Sequence, residues 1–363
     1  MKIKVRTMRN ISDKAELIPG LKSRNRIIMP PMDTLMAKDG IANEFHIQHY
    51  GARAYGGVGT IIVESTGISS EGRIRESDLG LWDDNQIEPL KKVVDLVHKA
   101  GAKIGIQLNH AGSKSILDQE TIGATRFYDY LDQTNLRIAT QEDLDILEEK
   151  FIAAAYRAQK AGFDFVELHS AFGYFMSELL HPILNDVIKS DDILVRGKMI
   201  LNIARRLKEE VKMPFGIRIS IGDGDGNVKT EDMCEPFIRE LNKYVAYFNI
   251  STGETISKVR MADIIRDLGT KLFTLYYVNK VKQWTNKTII TAGNFQTRED
   301  IEIGLKAADF IAIGRELIFN PSLVISTILN TNEMNEIDYH WNDNLWFNPV
   351  TYKEMIERLK GNE

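Results

Sequence analysis

The stretch "VELHSAFGYF", residues 166–175, ends an apolar run in His169 and sets Phe172 and Tyr174 three and five positions beyond it. An imidazole and a phenol so close together could mark the top of an active site. The alternative is a buried strand followed by ordinary packing residues. Arg218, inside the apolar run "FGIRIS", is a sharper signal. A guanidinium buried without a partner is costly, so this one needs an anionic or electron-rich neighbour. Gln107 in "IGIQLNH" poses the same question more weakly, with Asn109 and His110 just beyond it.

Two glycine-bearing turns point to an anion. "TAGNF" carries Gly293 and Asn294, and "IGREL" carries Gly314 and Arg315. Glycines ahead of a helix start let backbone N–H groups approach a phosphate, and Arg315 could add a charge-assisted contact. Read alone, "IGRE" is also a plain strand-to-helix turn with a solvated arginine. Pro30 and Pro31 in "MPPMDT" lack N–H groups and stiffen the backbone that carries Met32, Asp33 and Thr34. His46, His49, His98 and His340 fall on helical or tail segments and read as surface or packing residues, while His181 in "LLHPIL" stays open.

Something must hold these residues at one place. Eight short β-rich runs recur along the chain, at 26–32, 60–66, 103–109, 163–169, 215–220, 244–251, 287–293 and 309–314. Most are continuously apolar, as suits parallel strands buried on both faces. Between them lie helical segments such as 43–57, 86–101, 142–162 and 297–308. Their boundaries carry Asn, glycine and Thr-x-x-Asp cap signals. Eight βα units predict a (β/α)8 TIM barrel, in which loops after the strand C-termini build the site. No Gly-x-Gly-x-x-Gly turn follows the first strand to favour a doubly wound sheet. No linker or composition break divides the chain, so 1–363 reads as one domain with an aromatic tail at 338–350 that packs on the barrel or a neighbouring subunit. The irregular segments 110–140 and 251–269 are the longest loops, and the first reads as a lid or substrate wall.

The net charge of −5 gives no reason to expect a nucleic-acid partner. The lone Cys234 excludes an internal disulfide and a cysteine-held metal centre, and no metal site is expected. No run reaches the roughly 20 apolar residues of a membrane span, and "MKIKVRTMRN" is no signal peptide. A cytoplasmic protein acting on a small molecule, without a membrane partner, is the expectation, and a homo-oligomer is compatible with it.

The ordered set "RNRIIMPPM", "DGIANEFHIQHYGARAYGGVGTIIVES", "LGLWDD", "KIGIQLNHAG", "AGFDFVELHSAFGYF" and "ADFIAIGREL" resembles the old yellow enzyme family of FMN oxidoreductases, over about 24–323. The resemblance implies FMN across the barrel mouth and NADH or NADPH as reductant. Pro30, Pro31, Met32 and Asp33 would run along the ring system with Ser65 beside it. Gln107 would meet its pyrimidine edge, and Arg218 its N1–C2 carbonyl end, where a cation stabilises the reduced flavin. Gly293, Asn294, Gly314 and Arg315 would hold the phosphate. His169 would donate to the substrate's oxygen, Tyr174 would supply the proton, and His169, Phe172 and Leu35 would face the substrate.

The chain also departs from the family pattern. Phe172 stands where a second His or Asn is usual, and Asp33 where a Thr or Cys is usual. The segment 179–199 lacks the Arg, Tyr-Gly-Gly and Asn-Arg pattern. Hydride would pass to an activated alkene, a quinone or a nitro compound. Two other readings stay open: an FMN-binding barrel with narrow or lost reductase activity, and a flavin-free phosphate-binding barrel enzyme.

Overall fold

The computed structural model describes residues 9–126, 134–222, 231–253, 265 and 269–336. The barrel strands are β1 (Ile27–Met29), β2 (Thr60–Gly67), β3 (Lys103–Asn109), β4 (Phe165–Ser170), β5 (Phe215–Ser220), β6 (Tyr247–Ser251), β7 (Thr288–Ala292) and β8 (Phe310–Ala312). Each pairs in parallel with the next, and β8 pairs with β1, so the eight strands close into the expected (β/α)8 barrel. The tail at 338–350, residues 127–133 of the first long loop, and 254–264 and 266–268 of the second lie outside the described residues.

Side chains alternate about each strand, and the alternation sorts two cores. One packs the outer strand faces against helices such as α1 (Glu44–Tyr55), α2 (Ile87–Lys99) and α3 (Gln141–Ala161). The other fills the barrel floor with Ile28, Ile62, Phe165, Tyr247, Ile290 and Phe310, closed from below by Leu17 and Ile18 of an N-terminal hairpin. Two glycines make that floor possible. A Cβ on Gly105 would lie 2.2 Å from the Phe165 ring, and one on Gly216 would lie 2.1 Å from the Tyr247 ring. Climbing from that floor, the inward positions turn polar: Phe165 gives way to Glu167 and His169, Gly216 to Arg218 and Ser220, and Tyr247 to Asn249 and Ser251. Polarity thus rises toward the strand C-termini, where a barrel site belongs.

Helix starts are fixed by side chains that satisfy free backbone N–H groups. Asn43 caps α1, Thr140 caps α3, and Thr297 caps the helix Arg298–Ala307, each in a capping box. The described part of 110–140 is more ordered than its composition suggests. It contains a short parallel pair, Thr121–Gly123 with Leu136–Ile138. The buried Glu178 carboxyl accepts from the Ser113 and Ala124 backbone N–H groups at 2.9 and 2.8 Å, tying this loop to the helix after β4. Among the described residues no helix is long and apolar enough to cross a membrane.

Candidate active site

At the top of β4, the His169 and Tyr174 rings meet edge-on, 4.9 Å between centroids. The chain doubles back between them through two left-handed residues, Phe172 at φ 60° and Gly173 at φ 71°. Glycine adopts that geometry freely, whereas a bulky residue such as phenylalanine is strained in it. The turn is held by the Phe172 N–H donating to Ser220 Oγ at 3.1 Å and by Lys114 Nζ donating to the Phe172 carbonyl. Burial, followed by the charges of Arg218 and Lys114, pushes the His169 imidazole well below its ordinary pKa. Burial and then the Asp33 charge push the Tyr174 phenol up. Both groups are therefore neutral at physiological pH, and each retains a proton to donate.

Beside them, the Arg218 guanidinium on β5 lies 4.8 Å from the centre of the Phe172 ring. Below it sits the fully buried carboxylate of Glu167, whose charge is the largest favourable influence on that cation. The electron-rich and anionic neighbours expected for Arg218 are thus Phe172 and Glu167. Glu167 accepts from Gln107 Nε2 at 2.8 Å, and from the Tyr247 hydroxyl and Asn249 Nδ2 at 3.0 Å each. Burial still moves its pKa up, against the pull of Arg218 and these three donors.

On the opposite side, Pro30, Pro31, Met32, Arg218, Gly293, Asn294, Gly314 and Arg315 line one cleft of about 230 Å³. Arg315 Nη2 donates to Asn294 Oδ1 at 2.6 Å, bridging the loops after β7 and β8. Gly293 has φ 141°, with Thr274 packed where a Cβ would go. The residues singled out at these two turns therefore share one wall.

Ser65 and Asp33 stand on the third side. A bulge between Val63 and Ser65 turns Glu64 out of register, and Ser65 Oγ accepts from Asn109 Nδ2 at 2.9 Å. The buried Glu64 carboxylate accepts from the Thr34 N–H at 2.6 Å and from the Tyr50 hydroxyl at 2.9 Å, which fixes the chain just past Asp33. Asp33 opens to the mouth, yet protein walls on its other sides and the Asp78 charge raise its pKa to about 6. Leu35 stands exposed on the loop beyond, with φ 58°.

Glu64, Glu167 and Glu178, each a carboxyl inside an apolar setting, were not among the residues expected at the mouth. Glu167, two positions before His169 on the same strand face, carries the same signal as Arg218: an ionisable group inside an apolar run. Among the histidines, His181 is structural: its Nδ1 accepts from the Ile183 and Leu184 N–H groups at 3.1 Å. His46 closes the cap of α1, and His98 bonds Asp164 at 2.8 Å. His340 lies outside the described residues. Among the described residues, no three His, Cys, Asp or Glu side chains group as metal ligands.

Fold and mouth together define a (β/α)8-barrel enzyme with a glycine- and arginine-lined cleft on one side and paired neutral donors on the other. Residues 20–332 match the NADH:flavin oxidoreductase / NADH oxidase family, and the chain belongs to it. It is similar to the NADPH dehydrogenase of Listeria welshimeri, 35% identical over 85% of this chain and 92% of that protein. The NADPH dehydrogenase of Clostridium acetobutylicum is 33% identical over 86% and 93%. In fold it is similar to morphinone reductase (TM-score 0.73, 22% identity, 94% of this chain and 93% of that one). The old yellow enzyme homologue of Zymomonas mobilis gives 0.71, 24% identity, and 86% and 90% coverage. The protein is accordingly an FMN-dependent oxidoreductase that uses NAD(P)H. Its mouth fits that cofactor: among the described residues Arg218 Nε, in the cleft wall, and His169 Nδ1, on the paired strand, are buried polar atoms without a hydrogen-bond partner.

Proposed function

We propose that this enzyme uses NADPH to reduce an electron-poor small molecule at the mouth formed by His169, Tyr174 and Phe172. The reductant follows the NADPH dehydrogenases to which the chain is similar. FMN, when bound, carries hydride from the nicotinamide to the acceptor. Pro30, Pro31, Met32, Asp33, Ser65, Gln107 and Arg218 would hold its ring system, and Gly293, Asn294, Gly314 and Arg315 its phosphate. His169 donates a hydrogen bond to the acceptor's oxygen, and Tyr174 delivers the proton from its phenol.

The observation that carries this reading is the edge contact of His169 and Tyr174, 4.9 Å apart at the strand ends and both neutral. Phe172 supplies no donor at the acceptor and instead presents an aromatic ring between His169, at 5.9 Å, and Arg218. That favours acceptors which stack and carry their own activation, quinones and nitro compounds, over simple enones. The same feature favours, as a second reading, a reductase of narrow activity. The flavin-free barrel is set aside by family membership.

The test is anaerobic. Protein reduced by NADPH is mixed with a benzoquinone, a nitroarene and cyclohexenone, and flavin reoxidation is followed. Quinone and nitro compound should reoxidise it faster than the enone. A preparation that NADPH does not bleach would exclude the proposal, and an enone that reacts fastest would overturn the acceptor preference.

A further inference from the structure

The least expected feature of the barrel interior is a carboxylate with a full set of partners and no place in the chemistry above. Glu167 is completely buried on β4, level with Gln107 on β3 and next to Gly216 on β5. A buried carboxylate without a role is costly, and replacing it with an apolar residue would be the simpler way to fill a barrel. Its partners are arranged with a direction. The bond to Gln107 is made by the amide nitrogen, at 2.8 Å. A carboxylate accepts and cannot donate, so the amide is held with Nε2 toward Glu167 and its carbonyl oxygen away from it. Asn249 and Tyr247 donate from the other side, which leaves the carboxylate no freedom to turn. Arg218, the donor of the mouth, feels Glu167 more strongly than any other charge.

We infer that Glu167 is a positioning residue that assigns donor and acceptor along the edge of the flavin site. It fixes Gln107 so that its carbonyl is an acceptor, and it partly neutralises Arg218, which remains the donor. The pyrimidine edge of an isoalloxazine alternates an N–H donor at N3 with carbonyl acceptors, so a fixed acceptor beside a fixed donor is its complement. An amide free to flip would present the wrong polarity in part of the population and lose discrimination. The inference rests on the flavin placement proposed above.

Two variants test it, read by binding and by potential rather than by turnover. The protein, freed of flavin, is titrated with FMN and with 3-methyl-FMN, which lacks the N3–H, using quenching of flavin fluorescence. The parent should prefer FMN by about tenfold to a hundredfold, the value of one hydrogen bond in a desolvated site. Glu167→Leu should bring that preference below about threefold. Glu167→Gln keeps shape but removes charge, so the midpoint potential of bound FMN should shift positive as Arg218 acts unopposed. Should Glu167→Leu fail to fold, the Glu167→Gln potential decides alone. A parent that binds FMN without preferring it to the 3-methyl analogue would overturn the inference. So would a preference that survives in Glu167→Leu, or a potential unmoved in Glu167→Gln. A parent that binds neither flavin would instead refute the flavin placement itself.

Discussion

The ring of Phe172 lies over the guanidinium of Arg218, 4.8 Å from its centroid to Cζ. The contact ties the turn after β4 to β5. A partly desolvated cation–π contact is worth up to about 2 kcal/mol. Holding a bulky residue at positive φ costs roughly 1–2 kcal/mol. The two nearly cancel, so this turn owes its shape to its surroundings and not to a preference of phenylalanine.

Phe172→Asn follows directly. Asparagine tolerates the left-handed φ of 60° but gives up the contact with Arg218, so the thermal midpoint should move little. It also adds a donor beside His169. One such donor is typically worth about 10²–10³ in rate, so reoxidation by cyclohexenone should rise at least about tenfold. Stopped-flow comparison with the parent checks it. If the rate does not rise, the altered segment 179–199 becomes the limiting feature.

Tyr174→Phe removes the proton donor while keeping the ring that meets His169. Reoxidation by an alkene should slow about 10²–10⁴-fold, the usual value of a positioned general acid. Reduction by NADPH needs no proton from this phenol and should stay within about twofold. Equal losses in both half-reactions would assign Tyr174 a structural role.

Asp33 titrates at about 6, facing Asp78, Arg75, Arg218 and the Ser65 N–H. As pH rises through that value its carboxylate gains a negative charge, which opposes placing electrons on a ring nearby. The midpoint potential of bound FMN should therefore fall more steeply across this range in the parent than in Asp33→Asn. Across a partly dry site the charge could be worth a few kcal/mol, on the order of the Coulomb energy at intermediate dielectric. Parallel curves would show that Asp33 turns away from the ring.

Stability should decline on the alkaline side of neutrality. Burial raises Glu178 to about 8 from 4.5, so the folded protein keeps a proton that the unfolded chain has released. Between those values the folded state binds more protons, and stability falls as pH rises. The carboxyl can hold that proton, because Ser113 Oγ lies 3.2 Å away and itself donates to the Thr125 carbonyl at 2.7 Å. Buried His46, His49 and His110 act oppositely, since each titrates near 4 against 6.5 in the unfolded chain. They make stability rise with pH up to 6.5 and fall silent above it. The urea midpoint should thus decrease from about pH 6.5 to 8, and Glu178→Gln should flatten the decrease. A midpoint that is level or rising over that interval would contradict it.

Much of this protein is legible in one dimension. Eight apolar runs between capped helical segments could bury both strand faces only in a parallel sheet, and the same eight close the barrel. The residues expected at the mouth, from the prolines after β1 to Arg315 after β8, stand in the C-terminal halves of the strands or just past them, because each sits late in its run or directly after it. An isolated charge in an apolar strand also announced that Arg218 had a partner.

Which partner it had was not written there. Alternation says that Glu167 points inward, but only the register around the closed barrel sets Gln107 level with it and brings Tyr247 and Asn249 to its other side. The bulge that aims Glu64 at Thr34, and the left-handed turn that lays Phe172 over Arg218, likewise lie in contacts between elements distant in sequence. Local sequence sets the period and the ends of each element. The level at which side chains from different strands meet depends on the stagger of the whole ring, and that exists only once the last strand has paired with the first.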